Sequence, residues 1–272
     1  MSEASPELSN PRAPRAVAAR RLASRSFRAK QELFLAEGPQ AVREAAELDG
    51  VLVELFATRE AAERHDEILA AARAQGSKIT IATPDLVESL SETVTPQGLI
   101  GVCRFLNTPL EAFLAERAPK LVALLAHVRD PGNAGTVIRC ADAAGADLVI
   151  VTSESVDVYN PKAVRASAGS LFHVPVAVGV TAEEAVNALR VAGLRILAAD
   201  GTGAADLDDE LDAGRLVQPT CWMFGNEAWG LPEALLGLAD EAVRVPIHGR
   251  AESLNLATAA AVCLYSSARA QR

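Results

Sequence analysis

Cysteine is scarce in this sequence and unpaired. Cys103, Cys140, Cys221 and Cys263 are scattered, with no Cys-x-x-Cys pair. That spacing excludes a disulfide framework and a zinc ribbon, and fits reduced thiols in a cytoplasmic protein. The histidines, His65, His127, His173 and His248, are equally dispersed, so no metal site is expected. No run of 18 apolar residues is present, which argues against a membrane span. An apolar leader with a cleavage site is also lacking, so no secretory signal is expected. A dinucleotide fingerprint and a P-loop are missing too. Gly201-Thr-Gly203 is a partial match with an acidic run behind it, and reads as a turn.

What is present is a chain of 272 residues, half of them hydrophobic, enough for two domains with substantial cores. The net charge of −9 by itself argues against a nucleic-acid partner. Its distribution reverses that at one end. Residues 1–30 hold seven basic groups, Arg12, Arg15, Arg20, Arg21, Arg25, Arg28 and Lys30, against two acidic ones, while the remaining 242 residues hold 19 against 33. A basic arm on an acidic body suits contact with phosphates, although a solvated terminus has the same composition.

The patterning predicts a flexible leader over 1–14 and a basic helix over 16–30. A strand and turn follow over 32–38, with Pro39 opening a helix. Strands at 51–58, 78–81 and 98–104 around a helix at 61–75 complete a small α/β domain, 15–106. Residues 107–120 read as a linker with a short helix inside. Six buried-strand runs follow, over 121–128, 147–152, 173–178, 195–199, 221–224 and 242–247, separated by helical stretches near 134–144, 160–170, 181–192 and 253–269. Apolar runs between helices imply a second domain, 121–272, built on a mostly parallel sheet covered on both faces. Ligands of such sheets bind beyond the carboxyl ends of the strands.

Three segments lie at such ends. Asn133-Ala-Gly-Thr-Val-Ile-Arg139 follows a Pro-Gly turn, with Asn133 placed to cap a helix. Gly225-Asn-Glu227-Ala-Trp229-Gly230-Leu ends a strand with a glycine that admits close backbone approach and a carboxylate in need of partners. Val245-Pro-Ile247-His-Gly-Arg-Ala-Glu-Ser253-Leu254-Asn255 leads into the final helix, with Ser253 as a candidate cap. Each alone reads as an ordinary strand, loop and capped helix.

Taken together and in this order, the three resemble the motifs of the SpoU/TrmH branch of the SPOUT RNA methyltransferases. The resemblance is close over the last 150 or so residues and looser before. It implies an α/β SPOUT domain whose C-terminal helix threads a deep trefoil knot, preceded by a smaller α/β RNA-binding domain similar to ribosomal proteins. The slender Ala257-Thr-Ala-Ala-Ala-Val-Cys263 stretch suits such a passage, though small residues also simply favour helix. The resemblance implies S-adenosylmethionine as cofactor, held by backbone around Gly225, Val245, Ile247, Leu254 and Asn255, with no metal. It implies catalytic roles for Asn133, Arg139, Glu227, Ser253 and Asn255, with Asn133 and Glu227 positioning Arg139. It implies RNA contacts from Lys162 and Arg165, on a helix beside the pocket. In the N-terminal part, Phe34-Leu-Ala-Glu-Gly38 and Thr95-Pro-Gln-Gly98 carry the likeness, and make Arg20, Arg28 and Lys30 candidate RNA contacts. Trp229 is an unusual bulky neighbour in the second motif.

The implied reaction is methylation of a ribose 2′-hydroxyl in RNA by a homodimer, with rRNA favoured over tRNA by the two-domain layout. The family proposal makes Arg139 the base. A guanidinium with pKa above about 12 rarely yields its proton, so stabilisation of the developing alkoxide is the better role. A tRNA methyltransferase, a non-catalytic RNA-binding protein and a nucleotide enzyme on an ordinary doubly wound sheet are the alternatives.

Overall fold

A computed structural model describes residues 7–272. Residues 1–6, part of the expected flexible leader, lie outside the described residues. From Leu8 the chain is held. Leu8 N donates to the Ile81 carbonyl oxygen at 2.8 Å, and Thr83 N donates to the Leu8 carbonyl at 3.1 Å.

Two compact units result. One runs to Leu106 and takes in Tyr159–Phe172; the other comprises Asn107–Val158 and His173–Arg272. In chain order the first contains α1 (Pro14–Arg21), α2 (Arg25–Gln31), β1 (Leu33–Glu37), α3 (Gly38–Glu47), β2 (Leu52–Ala57), α4 (Arg59–Arg64), α5 (Asp66–Ala74), β3 (Lys78–Ile81), α6 (Pro84–Leu90) and β4 (Leu99–Arg104). The second opens with α7 (Leu110–Glu116), β5 (Leu121–Leu125), α8 (Pro131–Ala144) and β6 (Leu148–Val151). The chain then returns to the first unit for α9 (Pro161–Ser167). It finishes the second with β7 (Val176–Val178), α10 (Ala182–Val191), β8 (Arg195–Ala199), β9 (Ala205–Asp206), α11 (Leu207–Asp212), β10 (Thr220–Phe224), α12 (Glu233–Leu236), β11 (Glu241–Arg244) and α13 (Leu256–Ala270).

In the first unit the sheet order is β1-β4-β2-β3, with β4 antiparallel to both neighbours and β2 parallel to β3. The single basic helix expected over 16–30 is two. Arg28 is 1% exposed, and its Nη1 donates to the carbonyls of Leu22 and Ala23, both at 2.7 Å. A side chain thus satisfies carbonyls that a continuing helix would have used. Arg28 is therefore a structural residue, and the expectation that it contacts RNA is corrected: phosphate cannot reach a buried guanidinium already committed to backbone oxygens. Arg20 also has local partners, donating to Ser89 O (3.2 Å), Ser89 Oγ (3.0 Å) and Pro11 O (3.3 Å).

An aromatic cluster explains why residues 159–172 belong to this unit. Tyr159 stacks on Phe105 with centroids 3.9 Å apart and planes 10° from parallel, and Phe34 packs against both Tyr159 and Phe172. The Tyr159 hydroxyl accepts from Leu106 N at 2.7 Å. On α9, Arg165 Nη1 donates to Glu37 Oε1 at 3.3 Å, so its charge is balanced within the first unit. Lys162 is exposed on the same helix.

The second unit is a seven-stranded sheet, parallel throughout, in the order β7-β6-β5-β10-β8-β11-β9. Alternation along β10 shows why its strands read as continuous apolar runs. Cys221 and Met223 join the core formed with Val186 and Leu189 of α10. Trp222, between them, turns to the other face, where its Nε1 donates to Ser267 Oγ of α13 at 2.8 Å. Both faces are covered, as parallel sheets require. Gly203 packs against Ala242, where a Cβ would lie 2.7 Å from the carbonyl carbon, so the partial fingerprint glycine serves strand packing.

Candidate functional site

The three loops that carry the motifs leave the carboxyl ends of β5, β10 and β11 in the second unit. Their polar side chains meet. α8 is capped by Asp130, whose Oδ1 accepts from Asn133 N at 2.8 Å, with Pro131 in the first turn. This corrects the expected cap: Asn133 sits inside the first turn, and its side chain is released for other work. α13 is likewise capped by Asn255 and not Ser253; Asn255 Oδ1 accepts from Ala257 N at 2.9 Å.

Glu227 binds the loop before α8 with both oxygens. Oε1 accepts from Asp130 N at 3.0 Å and from Asn133 Nδ2 at 3.2 Å, and Oε2 accepts from Arg129 N at 3.2 Å. Asn255 Nδ2 donates to Asn133 Oδ1 at 3.1 Å. The polarity of this relay is fixed at both ends. A carboxylate only accepts and a backbone N–H only donates, so both amides can point one way.

Beside the relay lies a cleft of about 620 Å³, a size that suits a drug-sized ligand. Gly225, Val245, Ile247, Ser253 and Leu254 line it, together with Glu227. A Cβ on Gly225 would collide with the backbone of Gly230 and Leu231. The loop between is a tight one, in which Asn226 N and Gly230 O, and Gly230 N and Asn226 O, are bonded at 2.8 and 2.9 Å. Asn226 Nδ2 donates to the His127 carbonyl at 3.0 Å, tying the ends of β10 and β5 together.

One expectation, Arg139 in the pocket, meets a different outcome. Arg139 is exposed on α8, its side chain makes no hydrogen bond or ion pair among the described residues, and it is absent from the cleft lining. It stands six residues, about 9 Å of helix rise, beyond Asn133. Asn133 and Glu227 therefore hold each other and not Arg139. Lys162 and Arg165 belong to the first unit and take no part in the cleft.

Asp200, outside the three motifs, is a further polar group of the site. It follows β8 and lines the cleft, with Oδ1 accepting from Thr202 N (2.8 Å) and Thr202 Oγ1 (2.6 Å). The signal was available: an acid at the carboxyl end of a parallel strand is where ribose hydroxyls are often met. Burial pushes the thiols of Cys103 and Cys221 far up and that of Cys263 up to about 12, so none is a nucleophile at neutral pH. Among the described residues no group of three or more His, Cys, Asp or Glu could hold a metal, and no helix is long and apolar enough to cross a membrane.

The model of the SpoU rRNA Methylase family matches residues 120–265, which include every residue of the relay and the cleft. The chain belongs to this family. Its N-terminal part, residues 14–101, matches the MRM3-like substrate binding domain. The chain is 32% identical over 246 residues to the 23S rRNA (guanosine(2553)-2′-O)-methyltransferase RlmP of Bacillus subtilis, covering 90% of this chain and 92% of that one. It is 39% identical over 193 residues to the 23S rRNA (uridine(2479)-2′-O)-methyltransferase of Streptomyces viridochromogenes, covering 68% and 65%. The AdoMet-bound rRNA methyltransferase from Sinorhizobium meliloti superposes with a TM-score of 0.84 at 30% identity, covering 97% of both chains.

Proposed function

We propose that this enzyme transfers a methyl group from S-adenosylmethionine to one ribose 2′-hydroxyl of 23S rRNA in the cytoplasm. The observation that carries the reading is the Glu227–Asn133–Asn255 relay beside an apolar-walled cleft at the carboxyl ends of the strands. The residues fit the cofactor. Val245, Ile247 and Leu254 offer apolar walls, Gly225 lets the Asn226–Gly230 loop close at the edge of the cleft, and the second carboxylate oxygen of Asp200 is available to ribose hydroxyls. When bound there, S-adenosylmethionine supplies an electrophilic methyl group.

A ribose hydroxyl is a weak nucleophile, so the protein's tasks are placement and stabilisation of charge. The relay fixes the start of α8 and leaves the Ser253 hydroxyl, which has no partner among the described residues, facing the cleft. Arg139, unpaired, is assigned to the developing alkoxide or the adjacent phosphate, with water or phosphate accepting the proton.

The active unit is a homodimer in this reading. Val262 and Tyr265 are 38% and 52% exposed on α13, and the Tyr265 hydroxyl donates to the carbonyl of Ala143, one turn along α8 from Arg139. These two exposed side chains of α13, one of them bonded to α8 a turn from Arg139, support a site completed between two copies. Sedimentation of a Tyr265→Asp variant checks this: monomers with full turnover would overturn it. The threaded path of α13 belongs to the same reading, supported by its buried face of Ala257, Ala260, Cys263, Leu264, Ser267 and Ala268, small at every position but Leu264. A slow refolding phase that prolyl isomerase does not accelerate is the expected mark. Lys30 and Lys162, both exposed, are assigned to RNA backbone contact.

The function is tested by incubating the protein with radiolabelled S-adenosylmethionine and separate 23S rRNA and tRNA pools. Label in the rRNA pool alone is expected. Label in tRNA alone would overturn the substrate, and cofactor that fails to bind would overturn the reading altogether.

A further inference from the structure

The enzyme has two tryptophans, and their surroundings are opposite. Trp222 is 0% exposed in the core, whereas Trp229 is 53% exposed. A large ring held in water on a rigid support is more informative than a buried one. Trp229 stands on the Asn226–Gly230 loop, closed by the two backbone hydrogen bonds and by Asn226 Oδ1 accepting from Ala228 N at 2.9 Å. That loop also carries Glu227, so the indole is displayed by the element that organises the relay.

Trp229 does not line the cofactor cleft. Its ring instead lies 5.7 Å, centroid to centroid, from the imidazole of His127, at 59° between planes. His127 adopts φ +58, a left-handed conformation uncommon for a residue with a side chain, and Asn226 Nδ2 holds its carbonyl. Two residues on, Arg129, exposed and without a side-chain partner among the described residues, has its backbone N–H fixed by Glu227. An aromatic ring braced by an imidazole, with a free guanidinium alongside, is the chemistry that receives an unstacked base and its phosphate.

We propose that Trp229, braced by His127, is a stacking platform for an unpaired base at or next to the methylated ribose of the substrate RNA. This rests on the methyltransferase reading. Sequence-specific RNA recognition is made chiefly to unstacked bases, and a platform outside the cofactor site replaces the stacking that such a base has lost. Trp229 is a positioning residue: it acts on the base, not on the reacting atoms.

The two tryptophans make the test direct, because Trp222 is shielded from solvent. Wild type, Trp229→Phe and Trp229→Ala are titrated with a 23S rRNA fragment that the wild type methylates, following tryptophan emission, and their methylation kinetics are measured in parallel. Stacking predicts that RNA quenches wild-type emission and that Trp229→Phe abolishes the quench. The RNA KM of Trp229→Ala should rise about 5- to 150-fold, as expected for loss of roughly one base–aromatic stack. Trp229→Phe should recover much of that, and the S-adenosylmethionine Kd should stay unchanged in both variants. An RNA KM that is the same in Trp229→Ala would overturn the proposal, as would quenching that follows protein concentration instead of RNA. If RNA quenches Trp229 but no methyl group is transferred, the platform stands and the methyltransferase reading falls; if RNA does not bind at all, both fall.

Discussion

Asn255 donates from Nδ2 to Asn133 Oδ1 across 3.1 Å, joining the N-cap of α13 to the first turn of α8 between residues 122 apart in sequence. Asn255 does two jobs with one amide: its oxygen caps α13 and its nitrogen anchors the relay. Substitution separates them. Asn255→Asp keeps a good cap but loses the donor, so stability should stay within about 0.5 kcal/mol. Turnover should fall about tenfold or more, since a small misplacement of reacting groups is costly. Thermal melting and kcat measured on one preparation check both halves.

Gly225 is required by its neighbours. Gly225→Ala sets a methyl group against the backbone of Gly230 and Leu231, and overpacking of this kind costs about 1–3 kcal/mol. Because the displaced loop borders the cleft, the expected result is a weaker S-adenosylmethionine Kd by calorimetry with a well-folded spectrum. An unchanged Kd would remove this loop from the cofactor site.

The Arg139 side chain has no partner among the described residues, so Arg139→Ala should leave the Tm essentially unchanged while methylation drops about 100- to 1,000-fold, the usual loss for a donor to developing negative charge. Arg139→Lys keeps charge without the planar fork. Near-normal turnover with lysine would show that charge alone suffices.

Much of this was legible from residue patterns, and the failures have physical causes. Strand runs such as 121–128 and 221–224 were visible because both faces of a parallel sheet are apolar. Which side chain caps each helix was not: Asp130 and Asn133, or Ser253 and Asn255, are equally able to cap, and the Asn133 amide is instead held by Glu227 and Asn255, both far away in sequence. The break between α1 and α2 was hidden because it depends on Arg28 turning inward, and basic composition does not separate a buried guanidinium from a solvated one. The placement of α9 depended on Tyr159 stacking with Phe105, a contact between residues 54 apart that no local pattern records.

Arg28 and Lys30 should accordingly behave differently. Arg28→Ala strands the Leu22 and Ala23 carbonyls and should cost about 2 kcal/mol of stability in the first unit. Lys30→Ala should leave stability alone, weaken RNA binding, and reduce the salt dependence of binding by roughly one counterion. Denaturant melts and filter binding at two salt concentrations distinguish the pair.

Acid should weaken the second unit through Glu210. Its carboxylate accepts from Arg195 Nη1 at 2.5 Å and from Arg215 Nε at 2.7 Å. Burial opposes ionisation, but the bonds from Arg215 and Arg195 outweigh it and hold the pKa below the ordinary 4.5. A folded-state pKa below the unfolded one contributes stability at neutral pH that is lost as pH falls through the folded value. The Tm should therefore drop as pH falls below about 4.5, and Glu210→Gln should be less stable at pH 7 with a shallower acid slope.

The most direct test of the account is to treat unmodified 23S rRNA with S-adenosylmethionine and either wild-type enzyme or Asn133→Ala, then map methylation by alkaline hydrolysis. One new hydrolysis-resistant linkage is expected with wild type, and its loss with Asn133→Ala. Methyl incorporation on a base, with every linkage still labile to alkali, would contradict it.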